Sequence, residues 1–341
     1  MKRPTITDVA HAAGVSKGAV SYALNGRPGV SEETRRRILA TAERLGFRAD
    51  SAARALAGAP SKVVGMALRR PASTLGVEPF FMELVSGLEA ELSLRSYALL
   101  LQMVPDQEHE IALYQRWTHD RGVDGVLLCD VRSDDRRPAA LRELGLPAVV
   151  VGPPAAGSGA PPSIWSDDGA SLTEAVEYLA ALGHRRIARI GGIPDLAHTA
   201  VRTATFTGIA RRLGLESART VPTDYSGGDG ARATRALLAA PHRPTALIYD
   251  NDIMAIAGLA VAREAGLDVP RDLSLVAWDD SPVCRLVHPP LTALTRDIRA
   301  YGTQAARLLL ASIAGTPVAD VSTAPAHLTP RGSTAPPPPD R

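Results

Sequence analysis

The chain has 341 residues, 45% of them hydrophobic and 22% charged, which exceeds one ordinary domain and excludes a disordered or fibrous polymer. Its two cysteines, Cys129 and Cys284, lack a CxxC neighbour or clustered histidine, so neither a disulfide framework nor a metal site is expected; no signal peptide follows Met1-Lys2-Arg3-Pro4 and no run is long enough to span a bilayer, so a cytoplasmic protein without a membrane partner is expected. The net charge of +2 hides an asymmetry: residues 1–60 hold 10 Lys and Arg against 5 Asp and Glu, the footprint of a short module that neutralises phosphates.

Within that module, Thr7 can cap a helix over 7–13 whose Val9, Ala10 and Ala13 share one face, and Gly14 supplies the positive φ that ends it. Ser16 can cap a second helix over 17–24, with Val20 and Leu24 inward and Lys17, Gly18, Ser21 and Tyr22 outward. The tight Gly14-Val15-Ser16 join makes the pair a helix-turn-helix. Asn25-Gly26-Arg27-Pro28-Gly29 is turn chemistry, after which Ser31, with Glu33 and Thr34, opens a basic third helix whose Ile38, Leu39, Ala42 and Leu45 close a small core. The alanine-rich stretch 51–57 is about two turns long, too short for a stable helix without support.

Residues 5 to 58 resemble the DNA-binding headpiece of the LacI-type (lactose and galactose repressor) family. The resemblance implies that the second helix lies in the major groove with Lys17, Gly18, Ser21 and Tyr22 at or near base edges, and that Thr5, Ser16, Asn25, Ser31 and Thr34 meet DNA near phosphates. It also implies a hinge helix carrying Ala53 and Leu56 that pairs with its copy from a second subunit in the minor groove, with Leu56 as an apolar wedge that partly unstacks a base step. Lys17 can donate to guanine O6 and N7 or to a phosphate, Ser21 is adaptable, and Tyr22 combines a thymine-methyl contact with a hydroxyl bond. Gly18 can read nothing. The family often has arginine at Tyr22, threonine at Ala19 and asparagine at Asp50, so no relative's operator sequence transfers to this chain.

From Lys62 onward short apolar runs alternate with helical stretches. Strands are expected over 63–68, 97–104, 123–129 and 148–151 with a helix over 81–94; after the loop 153–162 come strands over 186–190, 245–249 and 274–277 and helices over 171–182, 207–213 and 253–265. This predicts an α/β body of two doubly wound parallel-sheet lobes, roughly 62–160 and 161–290, behind the all-α headpiece and hinge of residues 1–60, with the C-terminal segment of 61–341 crossing between lobes and a disordered tail from about 335. His184 is expected beside a helix end, and Gly191-Gly192 as a turn, because no GxGxxG or Walker lysine follows.

Ligands of open parallel sheets bind beyond the carboxyl ends of strands, which singles out Asn251 and Asp252 after one strand and Asp279 and Asp280 after another. No nucleophile or cofactor fingerprint accompanies these carboxylates, and carboxylate with amide suits sugar hydroxyls, so binding without catalysis or cofactor is expected. Residues 62–334 resemble the family's periplasmic-binding-protein-like effector domain through Leu182-Gly183-His184-Arg185-Arg186-Ile187, Tyr249-Asp250-Asn251-Asp252, Val269-Pro270-Arg271-Asp272, Trp278-Asp279-Asp280 and Pro290-Leu291-Thr292. The resemblance implies that Asn251 and Asp279 hold polar ligand groups and that Phe81 and Tyr225 offer aromatic faces, with Asp167 beside the ligand or capping its helix. Thr205 stands where many sugar-responsive relatives have arginine and Gly152 where the lactose repressor has aspartate, which leaves Arg202 to reach the cleft or lie on the surface. A homodimeric transcriptional repressor is expected, reading a near-palindromic operator and responding to a small effector, a carbohydrate first and a nucleoside or purine second. A transport-type solute-binding protein or an enzyme on the same fold is the alternative, disfavoured by the headpiece and by the missing export signal and catalytic constellation.

Overall fold

The computed structural model describes residues 4–24, 28–47, 60–70, 76, 78–155, 157 and 159–339. The expectations for Asn25, Asp50, Ala53, Leu56 and the hinge helix fall outside the described residues. The chain forms two compact units, residues 1–63 with 117–124 and residues 64–116 with 125–341.

In the first unit, helices α1 (Ile6–Ala13), α2 (Lys17–Leu24) and α3 (Glu32–Leu45) enclose Val9, Ala10, Ala13, Val20, Ala23, Ile38 and Ala42. The cap of α1 is Thr5 rather than Thr7. Its hydroxyl accepts from Asp8 N–H while the Asp8 carboxylate accepts from Thr5 N–H at 2.7 Å, a reciprocal box that Thr7 cannot build without an acid three residues on. Gly14 ends α1 at φ 65°, Ser16 Oγ accepts from Ala19 N–H at 3.2 Å, and Ser31 Oγ accepts from Thr34 N–H at 3.3 Å. Leu39 is 43% exposed and stays out of the core, because 38, 42 and 45 share a helical face that 39 does not.

The body holds two six-stranded sheets. Their strands are β1 (Val63–Leu68), β2 (Ala98–Met103), β3 (Gly125–Cys129), β4 (Ala148–Val151), β5 (Ser163–Ser166), β6 (Arg186–Gly191), β7 (Ser217–Pro222), β8 (Ala246–Tyr249), β9 (Ser274–Trp278), β10 (Thr292–Thr295), β11 (Val321–Thr323) and β12 (His327–Thr329). One sheet runs β11-β5-β4-β3-β1-β2 and the other β12-β10-β9-β8-β6-β7. Neighbours β1, β3, β4, β5 and β11 are parallel, as are β7, β6, β8, β9 and β10, while β12 lies antiparallel on β10. Buried β3 and β9 are continuous apolar runs because both sheet faces are covered. Helices α4 (Pro79–Leu92), α5 (Gln107–His119) and α6 (Arg137–Glu143) intersperse the first sheet; α7 (Asp168–Ala181), α8 (Ala197–Arg212), α9 (Gly227–Leu238), α10 (Asp252–Glu264) and α11 (Pro282–Leu286) intersperse the second; α12 (Ile298–Ile313) returns to the first.

The chain crosses between sheets after β5, after β10 and after β11, so β5 lies in the first sheet beyond residue 160, while the C-terminal segment passes between the two sheets. The first lobe takes in β5, β11 and α12, and the second regains 327–339. Gly87 of α4 and Gly302 of α12 seat this return: a Cβ on Gly87 would lie 2.1 Å from Arg299 O, and one on Gly302 2.5 Å from Leu84 O. The segment after β12 is bonded to the second sheet as far as Ala335. Ser333 Oγ donates to Leu275 O at 2.6 Å, Ala335 N–H donates to Ser274 Oγ at 3.1 Å, and Ala335 O lies 3.0 Å from His184 Nε2. Buried polar partners tie the tail down, and no tail residue announces them.

Candidate functional site

The outward face of α2 takes its shape from the headpiece core. Burying Val20 and Ala23 turns Lys17 and Gly18 to solvent, leaves Ser21 half-buried and Tyr22 45% exposed. Thr5, Ser16 and Ser31 are exposed at helix starts, where their hydroxyls cap α1, α2 and α3, and Thr34 is half-buried. A Cβ on Gly29, at φ 115°, would sit 3.2 Å from Tyr22 Cδ2, so Gly29 gives the Tyr22 ring room. At Gly18 a Cβ would meet only Ser16 Oγ at 3.8 Å, so the fold itself does not require glycine there.

In the body, the carboxyl ends of both sheets face one cleft. Three arginines project into it, each matched by a carboxylate. Arg70, after β1, reaches Asp130, after β3, at 3.0 Å; Arg202 of α8 reaches Asp168 at 2.7 Å; Arg296, after β10, reaches Asp279, after β9, at 3.1 Å. Asp250 lies deeper, pairing with Arg189 and standing 3.7 Å from Arg202. Each guanidinium also covers rings: Arg202 lies 3.5 Å from the Trp278 centroid, Arg70 4.8 Å from Tyr225 and 5.8 Å from Phe81, and Arg296 5.2 Å from Phe80. Pairing fixes these planes before any ligand arrives.

Electrostatics divide the carboxyl groups. Burial favours the neutral form of Asp130, but Arg70 outweighs it and holds the group below its ordinary range; Arg189 and Arg202 do the same for buried Asp250. Glu78 goes the other way: burial pushes it up to about 7, with Arg70 opposing and Asp130, Asp279 and Asp252 adding to the rise. His198 is pushed down to about 4 by burial and by Arg202, so a neutral ring meets Tyr225 OH at 2.8 Å. Among the described residues, three buried polar atoms on the wall have no hydrogen-bond partner: Arg70 Nη1, Glu78 Oε2 and Ser166 Oγ. Unmet donors and acceptors converging on one cavity suit a ligand rich in hydroxyls. No group of His, Cys, Asp and Glu able to hold a metal occurs among the described residues.

Residues 5–50 match the model of bacterial regulatory proteins of the lacI family, and residues 176–334 match the periplasmic binding protein-like domain. The chain is 33% identical over 322 residues to the HTH-type transcriptional regulator CelR of Thermobifida fusca, covering 92% of this chain and 93% of CelR. It belongs to the LacI family. MalR of Streptomyces coelicolor is 33% identical over 351 residues, covering 98% of each chain. Among solved structures, the CelR–cellobiose complex superposes with a TM-score of 0.72 at 30% identity over 97% of this chain and 100% of that one. The lac repressor dimer bound to operator and the anti-inducer ONPF superposes with 0.83 at 26% identity over 98% and 100%. These relatives are transcriptional regulators rather than enzymes, and this LacI-family chain is a DNA-binding transcriptional regulator.

Of the effector residues expected in this LacI-family chain, Phe81, Arg202, Tyr225, Asn251 and Asp279 line the cleft and Asp167 does not. Asp167 is exposed and caps α7, accepting from Ala170 N–H at 2.9 Å; the next residue, Asp168, is the one turned inward. Arg202 is only 5% exposed, so the surface alternative is excluded. Asn251 is largely spent on the protein: its Oδ1 accepts from Met254 N–H and its Nδ2 donates to Tyr225 O, both at 2.9 Å, which leaves one amide N–H. Tyr225, at φ 71°, sits over Gly192, where a Cβ would fall 1.8 Å from its Cζ; this glycine admits the ring. Gly152 holds φ 136°, which an aspartate would rarely adopt. Arg70, Glu78, Asp130, Asp168 and Arg296 were not anticipated. Arg70 and Asp130 follow strands as Asn251 and Asp279 do, so the strand-end rule points to them too.

Proposed function

We propose that this LacI-family regulator is a cytoplasmic homodimeric repressor that grips a near-palindromic operator through residues 1–60 and is controlled by a carbohydrate effector bound within residues 61–341. The observation that carries the effector reading is the cleft wall, where matched arginines, aromatic rings and unmet polar atoms converge, as hydroxyl recognition requires. That CelR has been solved with cellobiose supports a saccharide. In this reading Phe81 and Tyr225 supply faces and Arg202 and Asp279 grip polar groups, while Asn251 acts mainly by holding the Tyr225 loop. Lys17, Ser21 and Tyr22 meet base edges, with Gly18 beside them; Thr5, Ser16, Asn25, Ser31 and Thr34 lie near phosphates; Ala53 and Leu56 belong to the minor-groove hinge. Two half-sites call for a twofold dimer.

The effector acts only through different affinities for the DNA-competent and DNA-incompetent arrangements. Mobility-shift assays on the regions flanking the gene, with and without cellobiose, maltose and glucose, test this directly. At least one fragment is expected to shift at nanomolar protein and to respond to one sugar. Failure of every sugar to alter either binding or the melting temperature sinks the carbohydrate reading.

A further inference from the structure

Glu78 stands apart from the other carboxylates of the cleft. Asp130, Asp168, Asp250 and Asp279 are each matched by an arginine, whereas Glu78, 7% exposed, has no ion pair among the described residues. It precedes α4 but its side chain does not cap it, and its buried Oε2 has no partner among the described residues. A buried acceptor left unmet costs free energy, and a ligand that supplies the donor recovers it.

The charges set the ligand's class. Arg70, Arg202 and Arg296, with Arg189 behind them, are each matched by an acid, which leaves no spare cation among the described lining residues. Residues 71–77, Pro-Ala-Ser-Thr-Leu-Gly-Val, join Arg70 to Glu78 and carry no charge. His198 is neutral. With Glu78 neutral the four matched acids and four guanidinium groups balance, and ionising Glu78 adds one negative charge, so in either state a ligand anion finds no unpaired cation among them. A hydroxyl, in contrast, donates to Glu78 and accepts from the unpartnered Arg70 Nη1.

Resting on the reading of this cleft as a sugar site, we infer that Glu78 selects the effector: its carboxylate accepts hydrogen bonds from the hydroxyls of an uncharged sugar, and the cleft turns away phosphorylated and acidic sugars. The specificity lies at the start of α4, beside Arg70, and not on the Arg202 guanidinium that covers Trp278.

Calorimetric titration of the full chain tests this with glucose, cellobiose and maltose, each beside its own 6-phosphate (6′ for the disaccharides), against wild type, Glu78→Gln and Glu78→Asp. Wild type is expected to bind at least one neutral sugar about tenfold or more tighter than its phosphate. Glu78→Gln should weaken that neutral sugar by about tenfold or more, the loss of a charge-assisted hydrogen bond, and narrow the gap to the phosphate. Glu78→Asp keeps the charge but shortens its reach, so it should lose part of the affinity and keep the preference. Unchanged affinity in both variants, or phosphates binding as tightly as neutral sugars to wild type, overturns the inference while leaving the sugar site standing. If wild type binds no sugar of the panel, the sugar reading fails and takes this inference with it. Melting curves of each variant establish that it is folded.

Discussion

The α2 face and the cleft solve recognition in opposite ways. Lys17 and Tyr22 stand in solvent, and the headpiece core lies behind them, so their charge and hydroxyl meet a partner only on binding. In the cleft the guanidinium groups are already paired and stacked, with Arg70 and Arg202 buried. The lesson is where each region's specificity sits in the free energy: substitutions on α2 change DNA binding and spare the fold, whereas substitutions in the cleft strike fold and ligand together.

Asp250→Ala should break this contrast most severely, because it strips Arg189 and Arg202 of a shared buried partner. Urea unfolding is expected to show a loss of about 3–5 kcal/mol. A loss below 1 kcal/mol would mean that water reaches the pair. Next, Arg202→Lys keeps the charge but loses both the bond to Asp168 and the stack on Trp278. It should cost the effector about 1.5–3 kcal/mol in a titration while moving the urea midpoint less than Asp250→Ala does. On the other side of the comparison, Lys17→Ala should cost about 1–3 kcal/mol of specific operator affinity and leave the urea midpoint unchanged. Equal losses on specific and nonspecific DNA would reassign Lys17 to phosphate alone.

The pH dependence separates the regions further, since the shifted groups described here lie in the body. His184, 2.8 Å from Thr245 Oγ1, and His198 are pushed down to about 4, His184 by burial and His198 by burial and Arg202. Their contribution to stability is present above about pH 6.5 and lost as pH falls toward 4. Glu78, pushed up to about 7 by burial, has the opposite sign: its contribution is present below about pH 4.5 and lost as pH rises through 7. Urea midpoints from pH 4.5 to 8 should show both limbs, and Glu78→Gln should flatten the alkaline one. The smallest expected change is Gly18→Ala, which adds a Cβ with open space around it and should stabilise the headpiece by about 0.5–1 kcal/mol. A rise in melting temperature with lost operator affinity would show that DNA backbone comes close at this position.

Local chemistry was legible and long-range assembly was not. The helix-turn-helix could be read from Gly14, Ser16 and the 9, 10, 13, 20 spacing because caps and turns act within a few residues; only the choice of Thr5 over Thr7 needed the Asp8 box. The second lobe's half of the cleft followed from the strand-end rule, so Asp279 and Asn251 were reachable. In the first lobe the same rule reaches Arg70 and Asp130, which meet because β1 lies parallel to β3. Glu78 and Arg296 were not reachable: Glu78 precedes a helix that its side chain does not cap, and Arg296 follows a strand, β10, with too little pattern to announce itself. The first lobe is completed by β11 pairing with β5 and by α12 packing back on α4, contacts between distant segments that no local signal encodes. Arg202 was ambiguous for a related reason: α8 begins at Ala197, ten residues before the expected helix, and only that longer helix turns Arg202 inward.

The measurement that most directly tests the account is operator affinity by fluorescence anisotropy, with and without the sugar that shifts the melting temperature, for wild type and Arg202→Ala. Coupling between two sites typically amounts to about 1–3 kcal/mol, so the sugar should change wild-type operator affinity about fivefold or more and leave the variant's affinity unchanged. The same operator affinity in sugar-saturated and sugar-free wild type would contradict the claim that the cleft controls the DNA-reading face.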